Sequence, residues 1–141
     1  MPLLRPRRKF QFKVSDIMSK NPITAHYTAK IREVANLMYQ NGVGSVMIVD
    51  DGGVLIGIVT ERDLVKAVAT GKVADDKEVQ TIMTRNPVTI SPDASAHDAL
   101  KKMREYNVRH LPVIDKNGKP LGMVSVRDLL DAILTFIEVF I

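Results

Sequence analysis

The sequence predicts an α/β (α+β) fold in which two βαββα units pack about a pseudo-twofold axis. Three observations carry that prediction. The first is self-similarity at a fixed spacing. Ile17-Met18 recurs as Ile82-Met83, Asn21-Pro22-Ile23-Thr24 as Asn86-Pro87-Val88-Thr89, and Arg62-Asp63-Leu64 as Arg127-Asp128-Leu129. Asp50, Gly53 and Gly57 recur as Asp115, Gly118 and Gly122. All share one offset of about 65 residues with no gap, and roughly 17 of 56 aligned positions are identical. The second is that apolar spacing changes between helix and strand periods in the same order in each copy. The third is size: a unit of roughly 60 residues buries little surface alone and gains by packing against a second. The chain divides into a basic N-terminal tail (residues 1–13), one repeat over 14–75 and another over 79–141.

Each unit justifies its elements in turn. Asn21-Pro22 and Asn86-Pro87 are turn signals, followed by short strands at Ile23–Ala25 and Val88–Ile90. Helices are expected over 30–41 and 95–106, where Ile31, Val34, Ala35 and Met38, and Ala96, Ala99, Leu100 and Met103, fall at helical spacing. Asn41-Gly42 suits a left-handed helix end. Two nearly continuous apolar strands follow in each copy, Ser45–Val49 with Leu55–Val59 and His110–Ile114 with Leu121–Val124, a pattern of strands covered on both faces. Asp50-Asp51-Gly52-Gly53 and Asp115-Lys116-Asn117-Gly118 read as hairpin loops. Final helices start at Thr60 and Ser125. The second runs apolar to Ile141, more than one small core needs. That surplus either forms a homodimer interface or packs back on the chain's own N-terminal segment.

Composition narrows the function classes. Of 141 residues, 45% are apolar, enough for a core, and none is cysteine, which excludes disulfides and thiolate chemistry. No apolar run reaches the roughly 18 residues of a membrane span, and no signal-peptide core follows the basic start; a cytoplasmic protein is expected. The net charge of +4 is uneven. Arg5, Arg7, Arg8, Lys9 and Lys13 give residues 1–13 about +5, leaving about −1 for the rest. Such a tail suits nucleic acid or an acidic partner, or is simply a solvated terminus.

The segments richest in chemistry are Gly57-Ile58-Val59-Thr60-Glu61-Arg62-Asp63 and Gly122-Met123-Val124-Ser125-Val126-Arg127-Asp128. Each places a hydroxyl at a strand-to-helix junction and an aspartate three residues on. One reading is a variant capping box. The other is a ligand site: a helix N-terminus suits phosphate, the hydroxyl adds a donor, the arginine adds a charge-assisted one, and a carboxylate can accept from two ribose hydroxyls. Gly57 and Gly122 would let a ligand approach the strand.

With these motifs assembled, the chain resembles a tandem pair of cystathionine-β-synthase (CBS) domains, a Bateman module. Asp16-Ile17-Met18, Asn21-Pro22-Ile23-Thr24 and the Gly57–Asp63 segment carry the resemblance in the first repeat. Thr81-Ile82-Met83, Asn86-Pro87-Val88-Thr89, Val108-Arg109-His110-Leu111-Pro112-Val113 and the Gly122–Asp128 segment carry it in the second. The resemblance implies AMP, ADP, ATP or S-adenosylmethionine bound in inter-domain clefts as a regulatory ligand, dimerisation, and regulation of an attached or partner protein; with no effector domain seen in the sequence, action on a protein effector in trans is expected. It implies that Asp63 and Asp128 hold ribose hydroxyls and that Thr60 and Ser125 contact phosphate or ribose, with Arg62 and Arg127 nearby. It pairs Thr60 and Asp63 with Val108, Arg109 and His110, and Ser125 and Asp128 with Val43, Gly44 and Ser45. Thr24 and Thr89 would line the clefts. The first repeat lacks the proline that the second has at Pro112, and the cleft of Asp63 with Arg109 and His110 is expected to be the tighter for phosphorylated ligands.

Other classes fit less well. The histidines His26, His97 and His110 are not repeated between the copies and lack a metal-ligand spacing, so neither a metal site nor a catalytic role is expected. Asp50-Asp51 is explained by turn chemistry, and Met18, Met38, Met83 and Met103 read as core filler. Nothing matches a helix-turn-helix or an aromatic stacking platform, which leaves the tail as the route to nucleic acid. An interaction module without a ligand is the remaining alternative.

Overall fold

A computed structural model of the chain describes residues 12–73 and 77–140. Most of the basic tail, residues 1–11, lies outside them, as does the proposed contact of that tail with nucleic acid. The elements run α1 (Val14–Ile17), β1 (Thr24–His26), α2 (Ile31–Asn41), β2 (Ser45–Val49), β3 (Leu55–Thr60), α3 (Glu61–Ala69), a 3₁₀ turn (Val79–Thr81), β4 (Thr84–Arg85), α4 (Ala96–Tyr106), β5 (His110–Ile114), β6 (Pro120–Ser125) and α5 (Val126–Phe140). The fold is the expected mixture of two helix-flanked sheets.

The first sheet has the order β1-β2-β3-β4, with β1 parallel to β2 and the other pairs antiparallel. The second pairs β5 with β6 and is extended by single bridges, Ile90 to Val113 on one side and Ser19 to Met123 on the other. The expected strand Val88–Ile90 is therefore reduced to one bridge. Its cause is Pro112. In the first repeat the Met47 amide donates to the Ile23 carbonyl at 3.1 Å. Pro112 occupies the matching place and has no amide hydrogen, so the ladder keeps only the bonds from Ile90 to Pro112 and from Ile114 to Ile90.

Both hairpins turn the same way. Asp50 Oδ1 accepts from the Gly52 and Val54 amides, and Asp115 Oδ1 from the Asn117 and Lys119 amides. Gly53 and Gly118 each take φ 79°, a left-handed value that favours glycine. Helix α2 ends on Gly42 at φ 62°, and α4 on Asn107 at φ 52°.

The packing adds a feature the repeat alone did not reveal: the two leading segments are exchanged. Val14, Ile17 and Met18 pack in the core of the second repeat with Leu111, Val124 and Leu129. Val79, Ile82 and Met83 pack in the core of the first with Val46, Ile48 and Val59. The backbone bonds are reciprocal. The Val14 amide donates to Ala94 and the Val79 amide to Ala29; Ala96 donates to Phe12 and Ile31 to Lys77. Ser19 meets β6, and Thr84 meets β3. This reciprocity sets the pseudo-twofold relation and binds each repeat to the other through main-chain hydrogen bonds and buried apolar side chains.

The exchange also corrects the expected role of Gly57 and Gly122. A Cβ at Gly57 would lie 2.5 Å from Met83 Sδ and 3.2 Å from the Thr84 carbonyl oxygen. At Gly122 it would collide with the Ser19 carbonyl oxygen and come within 2.9 Å of Met18 Sδ. The space beside each glycine is filled by the exchanged segment, so no ligand approaches the strand there.

Of the two fates expected for the apolar C-terminal helix, packing back on the N-terminal segment is seen on its inner face. Leu129 and Ala132 are buried, and Phe12 and Ile17 border the inner face together with Ala132 and Thr135. The outer face leaves Leu130, Leu134, Ile137 and Val139 exposed. No helix among the described residues is long and apolar enough to cross a membrane.

Candidate functional site

The two junctions fold as capping boxes. The Thr60 amide donates to Asp63 Oδ2 at 2.9 Å, and the Asp63 amide donates to Thr60 Oγ1 at 3.3 Å. Ser125 and Asp128 repeat this at 2.8 and 3.2 Å. The Thr60 hydroxyl also donates to Asp63 Oδ2. In both boxes one carboxylate oxygen, Oδ2, accepts the cap bonds, so the cap does not consume Oδ1. A cap stabilises its helix by about 1 kcal/mol and, by the same bonds, fixes the aspartate at the mouth of a helix N-terminus.

What surrounds the two boxes differs. A cavity of about 530 Å³ lies between the repeats. The second repeat contributes Ser125, Val126, Arg127 and Asp128 from the β6–α5 junction and Arg109 and His110 from the start of β5. The first contributes Val43, Gly44 and Ser45 from the start of β2, together with Asn21, Ile23, Met47 and Glu61. Ser19 and Met123 close it. Sheet pairing explains the grouping: β2 begins beside the end of β3, and β5 beside the end of β6, with Ser45 opposite Thr60 and His110 opposite Ser125. The Glu61 amide donates to the Gly44 carbonyl and the Val126 amide to the Arg109 carbonyl. The strand starts then meet near the pseudo-dyad. A Cβ at Gly44 would lie 3.3 Å from His110 Nε2 and 3.4 Å from Glu61 Oε1, so the side chains of His110 and Glu61 come together over this glycine.

The cavity's charges balance: Arg109 and Arg127 against Glu61 and Asp128. Burial holds the His110 imidazole below its ordinary pKa; Glu61 and then Asp128 pull it back up, and Arg109 lowers it further.

Asp63 borders a different cavity, of about 230 Å³, with Lys66, Thr70, Lys72, Thr81 and Thr84. Arg109 and His110, expected beside Asp63, line the cavity of Asp128 instead. Thr60 is half-buried in its box, and Arg62 is exposed. Thr24 faces a shallow hollow with His26, Thr28 and Glu33. Thr89 offers its carbonyl to Lys102 Nζ at 2.6 Å. Val108 packs on the second core and Pro112 is fully buried, which gives both a packing role.

Sequence reasoning passed over Glu61, Asn21, Ile23 and Met47. Glu61 was the detectable one, because its counterpart in the other copy is the apolar Val126. Of the other histidines, His26 bonds Asp51 and Thr28 at the surface, at 2.5 and 2.6 Å, and His97 is exposed. Among the described residues no group of three or more metal-ligating side chains forms.

Comparison with known proteins now decides the family. A model described as the CBS domain matches residues 14–70 and again 77–135. The chain belongs to the CBS-domain family. A homoserine O-acetyltransferase of Methanosphaera stadtmanae is 42% identical over 113 residues, covering 80% of this chain but 22% of that protein. The CBS chain therefore spans about a fifth of that relative's length. Among solved structures, the CBS domain pair of protein MJ0100 in complex with 5′-methylthioadenosine and S-adenosyl-L-methionine superposes with a TM-score of 0.83 at 34% identity, over 89% of this chain and 98% of that one. The CBS domain protein PAE2072 from Pyrobaculum aerophilum, complexed with AMP, gives 0.80 at 31% identity, over 90% and 99%.

Proposed function

We propose that this CBS pair is a non-catalytic regulatory module that binds an adenosyl ligand in the cavity between its repeats. AMP, ADP, ATP and S-adenosylmethionine are the candidates, and the module acts in trans on a protein effector in the cytoplasm. The observation that carries the reading is the arrangement at Asp128: a capped helix N-terminus from one repeat faces the strand start Val43-Gly44-Ser45 of the other. Asp128 has a carboxylate oxygen outside the cap for a ribose diol. The α5 N-terminus, Arg127 and Arg109 supply positive potential for a phosphate. Ile23, Val43 and Met47 give an apolar floor for a purine. The ligands of the MJ0100 and PAE2072 structures, all adenosyl compounds, support the same class.

The preference for phosphorylated ligands was expected of the Asp63 cleft because Arg109 and His110 were expected there. Since those residues line the cavity of Asp128, the preference belongs to the Asp128 cavity in this reading. The exposed apolar residues of α3 and α5 (Val65, Val68, Leu130 and Leu134) support a homodimer. Calorimetric titration with AMP, ATP and S-adenosylmethionine tests the ligand class: binding of at least one is expected, and silence for all three would leave an interaction module without a ligand.

A further inference from the structure

We propose that His110 selects the charge of the ligand in the Asp128 cavity, taking up a proton when an anionic adenosyl compound enters and none when an uncharged one does. This rests on the adenosyl reading of that cavity. The geometry is specific to one copy. His110 lines the cavity and points Nε2 at Gly44, where Glu61 from the first repeat also arrives. In the other copy the positions matching Arg109-His110 are Gly44-Ser45, and the position matching Glu61 is Val126. The titratable device therefore sits on one side of the pseudo-dyad only.

The groups facing His110 are Glu61 from α3, Asp128 and Arg127 from α5, and Arg109 beside it. Two carboxylates and two guanidiniums leave the empty cavity near neutral. His110 is the lining side chain whose ordinary titration lies near neutral pH. Burial keeps its ring neutral in the empty protein. A phosphate entering the cavity brings negative charge within a few ångströms, which favours the imidazolium and outweighs the opposing loss of water around the ring. Adenosine brings no such charge. Because proton uptake and ligand affinity are linked, uptake of one proton per ligand raises AMP affinity about tenfold for each unit by which pH falls. This holds between the bound-state and free-state pKa values of His110, and it flattens below the latter.

Calorimetry of AMP and of adenosine in buffers of different ionisation enthalpy measures the protons exchanged. The pH is kept above the second phosphate pKa of about 6. The expected result is uptake approaching one proton per AMP, close to none per adenosine, and loss of the AMP-linked uptake in His110→Gln. Equal proton counts for AMP and adenosine would overturn the inference, as would uptake that survives in His110→Gln. The His110 ring-proton resonances of the unaltered protein, titrated with and without AMP, give a second reading: an upward-moved midpoint is expected, and an unmoved one overturns the proposal. Binding without proton uptake sinks this inference alone. Failure of AMP, adenosine and S-adenosylmethionine alike to bind sinks the adenosyl reading beneath it.

Discussion

The two repeats have kept the residues that build the fold and diverged at those that line the cavities. Asp50 and Asp115 turn their hairpins by the same pair of hydrogen bonds. Met18 and Met83 cross over to fill the space beside Gly122 and Gly57. Asp63 and Asp128 close matching boxes. Yet Gly44 faces Arg109, Ser45 faces His110, and Glu61 faces Val126 in the alignment. The result is one cavity of about 530 Å³ bordered by arginines and a histidine and another of about 230 Å³ bordered by lysines and threonines. Under the proposed function, a shared scaffold with unequal linings would let one domain pair respond to ligand identity as well as to ligand presence.

The largest difference between the repeats is expected at the glycines. Gly122→Ala forces Cβ against the Ser19 carbonyl, which is backbone, whereas Gly57→Ala meets chiefly the flexible Met83 side chain. We expect urea midpoints to report a loss of about 3 kcal/mol for Gly122→Ala and about 1 kcal/mol for Gly57→Ala, within the usual range for overpacking. Equal losses would mean that the exchanged segments yield alike. The outer helices come next. Leu134→Glu on α5 is expected to weaken self-association at least tenfold in sedimentation, and Val65→Glu on α3 to weaken it less, since α5 is the longer apolar face. A monomeric wild type would remove this contrast.

Smaller effects are expected at the helix ends. Gly42 and Asn107 both hold left-handed backbone, and nothing lies within 4 Å of a Cβ at Gly42. Gly42→Ala should therefore cost about 1 kcal/mol for conformational reasons alone, and Asn107→Gly should be neutral or slightly stabilising by thermal melts. The smallest effect concerns pH. The folded-state pKa of His110 is lowered, so the unfolded chain binds the proton more readily, and stability declines as pH falls through the ordinary value of 6.5 toward the folded-state value. His110→Gln should remove that part of the pH dependence, measured as the change in urea midpoint across the window.

Most elements were legible because each was written twice, so a weak periodic signal in one copy was checked by the other. The strand at Val88–Ile90 misled because β propensity favoured it. The missing donor at Pro112 mattered only once that residue was seen to occupy the place of Met47, whose amide carries the ladder. The exchange of the leading segments was illegible in principle, since a gapless offset is the same whether Val14 enters its own repeat or the other. The meaning of Gly57 and Gly122 followed from that exchange and was missed with it. At the site, the capping-box aspartates were legible from local spacing. The company they keep was taken from the resemblance, which set Arg109 and His110 beside Asp63, whereas the expected hairpin of β5 with β6 puts His110 opposite Ser125 and both residues in the cavity of Asp128.

Under the proposed function, the cavity at Asp128 is the principal adenosyl-ligand site. Titrating AMP into the wild type, Asp128→Ala and Asp63→Ala tests it most directly. A thermal melt of each variant should show similar cap losses of about 1 kcal/mol, so folding does not separate them. The expected result is an AMP affinity loss of at least tenfold for Asp128→Ala, the size expected when a hydrogen-bonding partner of the ligand is removed, and a clearly smaller loss for Asp63→Ala. Equal losses, or the larger loss at Asp63, would contradict it.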